Sequence, residues 1–256
     1  MSRREQGDAM RRIGLARALS KLGHCSRSQA AEMIRAGCVR VNGVVRRNAE
    51  SPVRLEKDHI EVNGRVVAEA EKLYLVMNKP RGVVTTASDE KGRETVCAML
   101  PANLRWVAPV GRLDKASEGL LLFTNDSEWA ARVSAPETHL DKTYHVQIAG
   151  VADAALLEAL EAGVISDGET LRARSVRLLR RGGRNCWLEV VLDEGRNRQI
   201  RRMLAAKGVE VLRLVRVAIG PLELGELAKG EVRKLTSAEK QAFDRSMKQC
   251  KAKPKS

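Results

Sequence analysis

The segment Val110-Gly-Arg-Leu-Asp-Lys-Ala-Ser-Glu-Gly-Leu-Leu-Leu-Phe-Thr-Asn-Asp126 decides how the chain is read. A polar stretch bounded by Gly111 and Gly119 leads into the apolar run Leu120 to Phe123, which Thr124-Asn125-Asp126 ends. A loop, a short unbroken apolar run and a polar stop predict a loop feeding a buried strand. Asp114 lies in that loop between Arg112 and Lys115. Cations so close keep a carboxylate ionised, the state in which it acts as a nucleophile. An aspartate in an ordinary turn gives the same local pattern. The segment alone leaves both possibilities open.

Upstream, Leu73 to Met77 is predicted as a strand, halted by Asn78-Lys79-Pro80-Arg81-Gly82. Pro80 cannot donate to a ladder and biases Lys79 towards an extended conformation. This basic loop at a strand end is either a phosphate grip or a plain surface turn. Thr95 to Leu100 is predicted as a short helix.

Downstream, Asn125-Asp126-Ser127 offers a cap for a helix through Trp129, Ala130 and Val133, stopped near Pro136. Lys142 to Gly150 alternates as a strand, with Tyr144, Val146 and Ile148 on its apolar face. There a tyrosine ring packs while its hydroxyl stays near a polar rim. Asp153 caps a further helix ended by Gly163, and the Arg181-Gly182-Gly183-Arg184 loop joins two strands, near Ser175 to Leu179 and Cys186 to Leu192. Asp193-Glu194-Gly195 then turns into Arg196-Asn-Arg-Gln-Ile-Arg-Arg-Met-Leu204. In a helix starting near Asn197, Arg198, Arg201 and Arg202 share one side, an arrangement suited to gripping anions. Thr236-Ser-Ala-Glu239 announces a last helix with a capping box.

The formal net charge of +14 attracts polyanions, of which nucleic acid is the usual one. No apolar run approaches the roughly 20 residues of a membrane span, and the polar N-terminus lacks a signal peptide's apolar centre. The expectation is a cytoplasmic protein that engages no membrane. The cysteines, Cys25, Cys38, Cys97, Cys186 and Cys250, form no Cys-x-x-Cys pair, so no metal site is expected. Aromatic residues make up only 3%, which argues against a broad stacking platform for single strands.

The N-terminal block has two predicted helices, one through Leu15, Ala18, Leu19 and Leu22, the other opening at Ser26-Arg27-Ser28 and ended by Gly37. Short strands follow around Asn42-Gly43 and Asn63-Gly64, the strongest short hairpin signal. The module carries Arg11, Arg12, Arg17, Lys21, Arg27, Arg35 and Arg40. Leu15-Ala16, Leu22-Gly23, Ser26-Arg27, Ala31-Glu32, Ile34, Gly37-x-Val39-x-Val41-Asn42-Gly43 and Asp58-x-Ile60 resemble an S4 domain, an RNA-binding module. Ser28-Gln29 stands where that family has more basic residues. The organisation expected is an arm over 1–10, an S4-like domain over 11–70 with 68–72 as linker, a catalytic domain over 71–242 and a basic tail over 243–256.

Three separated pieces resemble the motifs of pseudouridine synthases, in the ribosomal RNA branch typified by RsuA, RluB and RluF. They are Gly111-Arg112-Leu113-Asp114-x-x-x-x-Gly119-Leu120-Leu121, Lys142-x-Tyr144 and Glu194-Gly195-Arg196-Asn197-Arg198-Gln199-Ile200-Arg201-Arg202-Met203. Ala116-Ser117-Glu118 departs from the family, which often has Asp/Asn-Thr/Ser-Ser/Thr there. The resemblance implies an α+β protein: a small S4-like α/β module, then a mixed, mainly antiparallel sheet flanked by helices. It implies uridine-to-pseudouridine isomerisation by base flipping, without cofactor or metal. By the same resemblance Asp114, Tyr144 and Arg201 are catalytic, with Tyr144 against the base and Arg201 paired to Asp114. Arg112 fills the gap left by the flipped base. Lys79, Arg81, Arg196 and Arg198 hold phosphates, as do Arg17, Ser26 and Arg27 in the S4-like block. The partner implied is ribosomal RNA, bare or in an assembly intermediate, 23S in preference to 16S, bound by a monomer. Two alternatives stand beside this: a non-enzymatic RNA-binding or assembly protein, and a metal-dependent nuclease or phosphoryl-transfer enzyme.

Overall fold

The computed structural model describes residues 12–86 and 92–249. The expected arm over 1–10, Arg11, and the tail from Cys250 onwards lie outside the described residues. The chain falls into two compact units, one reaching to Leu73 and including Ala102–Ala108 and Thr124–Glu128, the other holding the remainder. No helix among the described residues is long and apolar enough to cross a membrane.

The first unit packs helices α1 (Leu15–Lys21) and α2 (Arg27–Arg35) on a four-stranded sheet. Its strands are β2 (Val39–Val41), β3 (Val44–Val45), β5 (Ile60–Val62) and β6 (Arg65–Val66), in the order β3-β2-β5-β6. β1 (Ile13–Gly14) and β4 (Pro52–Val53) pair separately. Leu15, Leu19, Ala30 and Ile34 are wholly buried against Val39, Val41, Ile60 and Val62. Asn42 and Gly43 have φ of 51° and 78°, and Asn63 and Gly64 have 51° and 75°. Positive φ at both central residues is what the Asn-Gly signal predicts for a two-residue hairpin turn.

Ser26, expected to contact RNA, has its side chain occupied by the cap of α2. Its Oγ accepts from the Gln29 amide at 3.1 Å, and the Gln29 side chain accepts from the Ser26 amide at 3.0 Å. Gln29 thus closes a capping box at a position where the S4 family is more basic. The predicted linker over 68–72 is tied down rather than loose. The Ala70 amide bonds Leu22 O at 2.9 Å, and Lys72 Nζ bonds Lys21 O at 3.2 Å.

The second unit is built on β7 (Tyr74–Lys79), β8 (Ala108–Val110), β9 (Glu118–Thr124), β10 (Lys142–Ala149), β13 (Ser175–Arg181), β14 (Asn185–Leu192), β15 (Val211–Ile219), β16 (Leu222–Glu223) and β17 (Val232–Lys234). The main order is β13-β14-β10-β15-β9-β7-β17, with β8 on β9 and β16 on β15. β10 pairs antiparallel with both β14 and β15, while β15 and β9 run parallel. A short hairpin, β11 (Val164–Ser166) and β12 (Glu169–Leu171), lies apart from this sheet.

The whole of β9 is buried, as an apolar run covered on both faces must be. Leu120 and Leu122 face a core with Trp129 and Val133 of α3 (Ser127–Ser134) and Phe243 and Met247 of α6 (Ser237–Gln249). A second core lies under β10 and β14, where Val146, Ile148, Cys186, Leu188 and Val190 meet Leu160 of α4 (Ala154–Ala162) and Ile200, Met203 and Leu204 of α5 (Gln199–Ala205).

Two expectations fail here. Thr95 to Leu100 forms turns, with Thr95 bridged to Val84, and no helix. The basic tail expected from residue 243 is helical up to Gln249, because Phe243 and Met247 supply apolar anchors one turn apart that the core buries. The charge around those two residues masked them in the sequence.

Candidate active site

The loop from Gly111 to Gly119 is held by its own carbonyls. Leu113 O accepts from Thr85 Oγ1 at 2.7 Å, and Asp114 O from the Ser117 amide at 2.9 Å and Lys79 Nζ at 3.2 Å. Lys115 O accepts from the Gly82 amide at 2.8 Å, Ala116 O from Arg201 Nη2 at 3.1 Å, and Ser117 O from Lys79 Nζ at 2.8 Å. Five successive carbonyls therefore have named donors. With the backbone fixed from either side of Asp114, its side chain is aimed by the fold instead of by chance encounter.

Lys79 corrects an expectation. It was placed among phosphate holders, but it is 0% exposed at the end of β7, and its ammonium meets the carbonyls of Pro80, Asp114 and Ser117. A group enclosed in this way cannot reach RNA. Burial pulls its pKa down to about 8, against Asp114 and Glu118, which hold it up. The sequence showed a basic residue before Pro80 and carried no sign of burial.

Gly119 ends the loop in a conformation that only glycine tolerates. Its φ is +103°, and a Cβ there would lie 2.2 Å from Arg216 O. The missing side chain lets β9 and β15 close in parallel register, Glu118 to Val215 and Gly119 to Arg216. Beside it, Glu118 is a buried carboxylate gripped by Arg213 through two bonds of 2.8 and 2.9 Å and by Lys229 at 3.0 Å. Arg213 chiefly, with Lys229, lowers its pKa against the opposing effect of burial. The departure noted at this position thus fastens the loop's end.

The Asp114 carboxylate is 34% exposed and pairs with Arg198, Nη1 to Oδ2 at 3.4 Å. Arg201 was expected to be that partner. Its guanidinium instead spans Ala116 O and, at 3.4 Å, Val211 O. Burial, then the guanidinium of Arg198, lower the Arg201 pKa; Asp114 raises it and Arg81 lowers it again. The physical reason for the exchange is where α5 begins. Arg198 is its N-cap, with left-handed φ of 48°, which turns its side chain out of the helical row and towards Asp114. Arg202 diverges too, binding Asp167, Glu169 and Ser166 O around the β11–β12 hairpin. The three arginines predicted to act together serve three different purposes.

Tyr144 lies on the inward face of β10, opposite Val190 on one side and Arg216 on the other. Arg216 is also the register partner of Gly119, so Tyr144 stands two strands from the end of the Asp114 loop, at its level. Arg216 itself was missed. It is 5% exposed, donates from Nε to Leu120 O at 2.8 Å, and its buried Nη2 has no partner. One signal was present: in β15 it shares the parity of Leu214, the apolar side. Thr85 gave none. Arg112 and Arg81 are exposed beside the loop; Arg196 is exposed and paired to Glu194 at 3.0 Å.

Comparison with known proteins places this geometry. The model of the RNA pseudouridylate synthase family matches residues 73–206, and that of the S4 domain residues 13–60. The chain belongs to the RNA pseudouridylate synthase family. It is 39% identical to the ribosomal large subunit pseudouridine synthase B of Bacillus subtilis, over 88% of this chain and 93% of that protein. An RNA pseudouridine synthase of Aquifex aeolicus is 36% identical, over 90% and 93%. A pseudouridylate synthase of known crystal structure superposes with a TM-score of 0.64 at 30% identity, over 90% of this chain and 99% of that one. For a pseudouridine synthase, the non-enzymatic alternative no longer accounts for the chain. The nuclease alternative needs converging carboxylates, whereas the partner of the Asp114 carboxylate is the Arg198 guanidinium.

Proposed function

We propose that this pseudouridine synthase acts on ribosomal RNA, 23S in preference to 16S, and that Asp114 is the carboxylate that opens the reaction. The observation carrying this is one partly exposed carboxylate on an otherwise immobilised loop, paired to Arg198. In the isomerisation the bond from the sugar to N1 breaks, the base rotates, and C5 bonds to the same sugar carbon. C5 loses a proton and N1 gains one, so atoms balance without an oxidant or an added group. Asp114 attacks or deprotonates, and Arg198, 3.4 Å from its Oδ2, holds it aimed. Arg201 acts as a positioning residue through the Ala116 carbonyl. Tyr144 packs on the flipped base, and Arg112 and Arg81 meet the strand it left.

The large-subunit preference rests on the name of the Bacillus relative. We place the enzyme in the cytoplasm as a monomer. The test maps pseudouridine in ribosomal RNA, with and without the gene, using a label that blocks reverse transcription. One stop lost from 23S RNA is the expected result. A stop lost from 16S RNA overturns the subunit, and no lost stop overturns the ribosomal substrate.

Arg17 and Arg27 of the S4 unit are exposed. Each phosphate contact contributes roughly 0.7 to 0.9 to the slope of log affinity against log salt. Changing both, Arg17→Gln with Arg27→Gln, is expected to flatten that slope by roughly 1.5. An unchanged slope removes both from the RNA interface.

A further inference from the structure

The outward face of the sheet carries a second feature, which shares Arg213 with the end of the Asp114 loop. Along β14 the even residues, Cys186, Leu188, Val190 and Leu192, are buried in a core, while the odd residues face the other way. On that outward side Trp187 is only partly buried. Two guanidiniums lie on its ring, Arg180 at 5.4 Å and Arg213 at 5.8 Å from the centroid. With His145 and Leu179 these three line a shallow depression of about 390 Å³.

The placement comes from the backbone. The β13–β14 ladder slips between Leu178 and Arg180, so that Arg180, and not Leu179, stands opposite Trp187. A bulge in an edge strand bends it and re-aims the side chain that follows. The hairpin carries Arg177, Arg180, Arg181 and Arg184 beside the single acid Glu189. Glu189 is taken by Arg177. Among the described residues no carboxylate pairs with Arg180 or Arg184. Leu178 and Leu179 remain 36% and 37% exposed.

Trp–Arg stacking can simply blunt an edge strand. A depression floored by indole and rimmed by Arg180, which no carboxylate among the described residues pairs, and by Arg213, which Glu118 holds in place, nevertheless fits one ligand chemistry closely: a flat unsaturated ring attached to a phosphate. We propose that this face binds an unpaired nucleotide of the RNA substrate, its base against Trp187 and its phosphate at Arg180. The proposal rests on RNA being the substrate. It adds a contact beyond the Asp114 carboxylate, beside the Arg213 that anchors the loop's end. A small local platform of this kind is available to a chain with few aromatics, because a single ring suffices for one base.

The test uses the full-length chain carrying Trp106→Phe, which leaves Trp187 and the fully buried Trp129 as its indoles. A single-stranded oligouridylate is expected to quench the fluorescence saturably. Adding Trp187→Phe should remove the quench. Adding Arg180→Glu should weaken the quenching affinity ~10-fold or more, since stacking and one phosphate contact go together. Near-ultraviolet circular dichroism on both variants checks that the sheet is intact. Absence of quenching in a protein that still isomerises ribosomal RNA overturns the site and leaves the enzyme assignment standing. Quenching by polyglutamate but not by oligouridylate overturns it in favour of an acidic protein partner. Quenching that persists in a protein with no ribosomal substrate upholds the site and removes the ribosomal reading instead.

Discussion

An Asp114→Asn enzyme is expected to bind RNA within about twofold of the wild type and to form no detectable pseudouridine. The substitution keeps the shape of the side chain and removes its charge. The backbone of the loop should not respond, because its five carbonyls take donors from Thr85, Lys79, Gly82, Arg201 and the Ser117 amide, and none from the carboxylate. What disappears is the nucleophile or base, and with it the ion pair to Arg198. Losing a group that acts on the reacting atoms typically removes several orders of magnitude in rate, at least ~10³-fold. Affinity for a large polyanion is set mainly by phosphate contacts, which the change leaves in place or slightly favours by removing a negative charge. The measurement is single-turnover isomerisation beside filter binding on one RNA fragment. Residual turnover within tenfold of wild type would show that another group opens the reaction.

Arg198→Ala and Arg201→Ala separate two roles that the chain spacing merges. Arg198 touches the carboxylate and Arg201 touches the loop backbone. At the level of sequence, both lie in one basic run, and an ideal helix from Asn197 sets them on one side. The helix begins at Gln199 instead, and the left-handed Arg198 takes the cap. A single dihedral thus decides which arginine meets Asp114, and no residue pattern encodes that dihedral.

The same contrast runs through the rest of the molecule. Elements fixed by short-range chemistry were legible: the Asn42-Gly43 and Asn63-Gly64 turns, the Thr236–Glu239 capping box, the buried run of β9, and the inward parity of Tyr144. Properties set by distant partners were not. Lys79 is buried because loop 111–119 folds over it, 35 and 38 residues along the chain for two of its bonds. Glu118 survives burial because Arg213, 95 residues away, reaches it. Thr85 and Arg216 belong to the site through tertiary contacts alone. Polar residues read as surface features wherever their partners are remote in sequence, and active sites are assembled mainly from such residues.

Lys79→Met is the substitution that tests whether the loop's fixation matters to the chemistry. Methionine approximates the length and volume of the lysine stem, so the core around it should not collapse. The carbonyls of Pro80, Asp114 and Ser117 lose a donor together. Each unsatisfied buried carbonyl costs about 1–3 kcal/mol, and relief from burying an ammonium offsets part of that. A net destabilisation of about 2–4 kcal/mol is expected by urea denaturation. The rate should fall about 10²-fold, with the loss in kcat and little change in KM, because a loop misplaced by an ångström spoils alignment more than binding. The pH dependence adds a second check. The Lys79 pKa of about 8 lies below its unfolded value of about 10.4. Between those limits the unfolded chain keeps a proton that the native state has released, so this group's contribution to stability rises with pH. Activity should move the other way: as pH passes 8 the amine loses both its charge beside Asp114 and one of the N–H donors that three carbonyls share. The wild type is therefore expected to slow on that limb while Lys79→Met, already slow, shows none. An alkaline limb that is unchanged in the variant would assign it to another group and leave Lys79 a purely structural part of the fold.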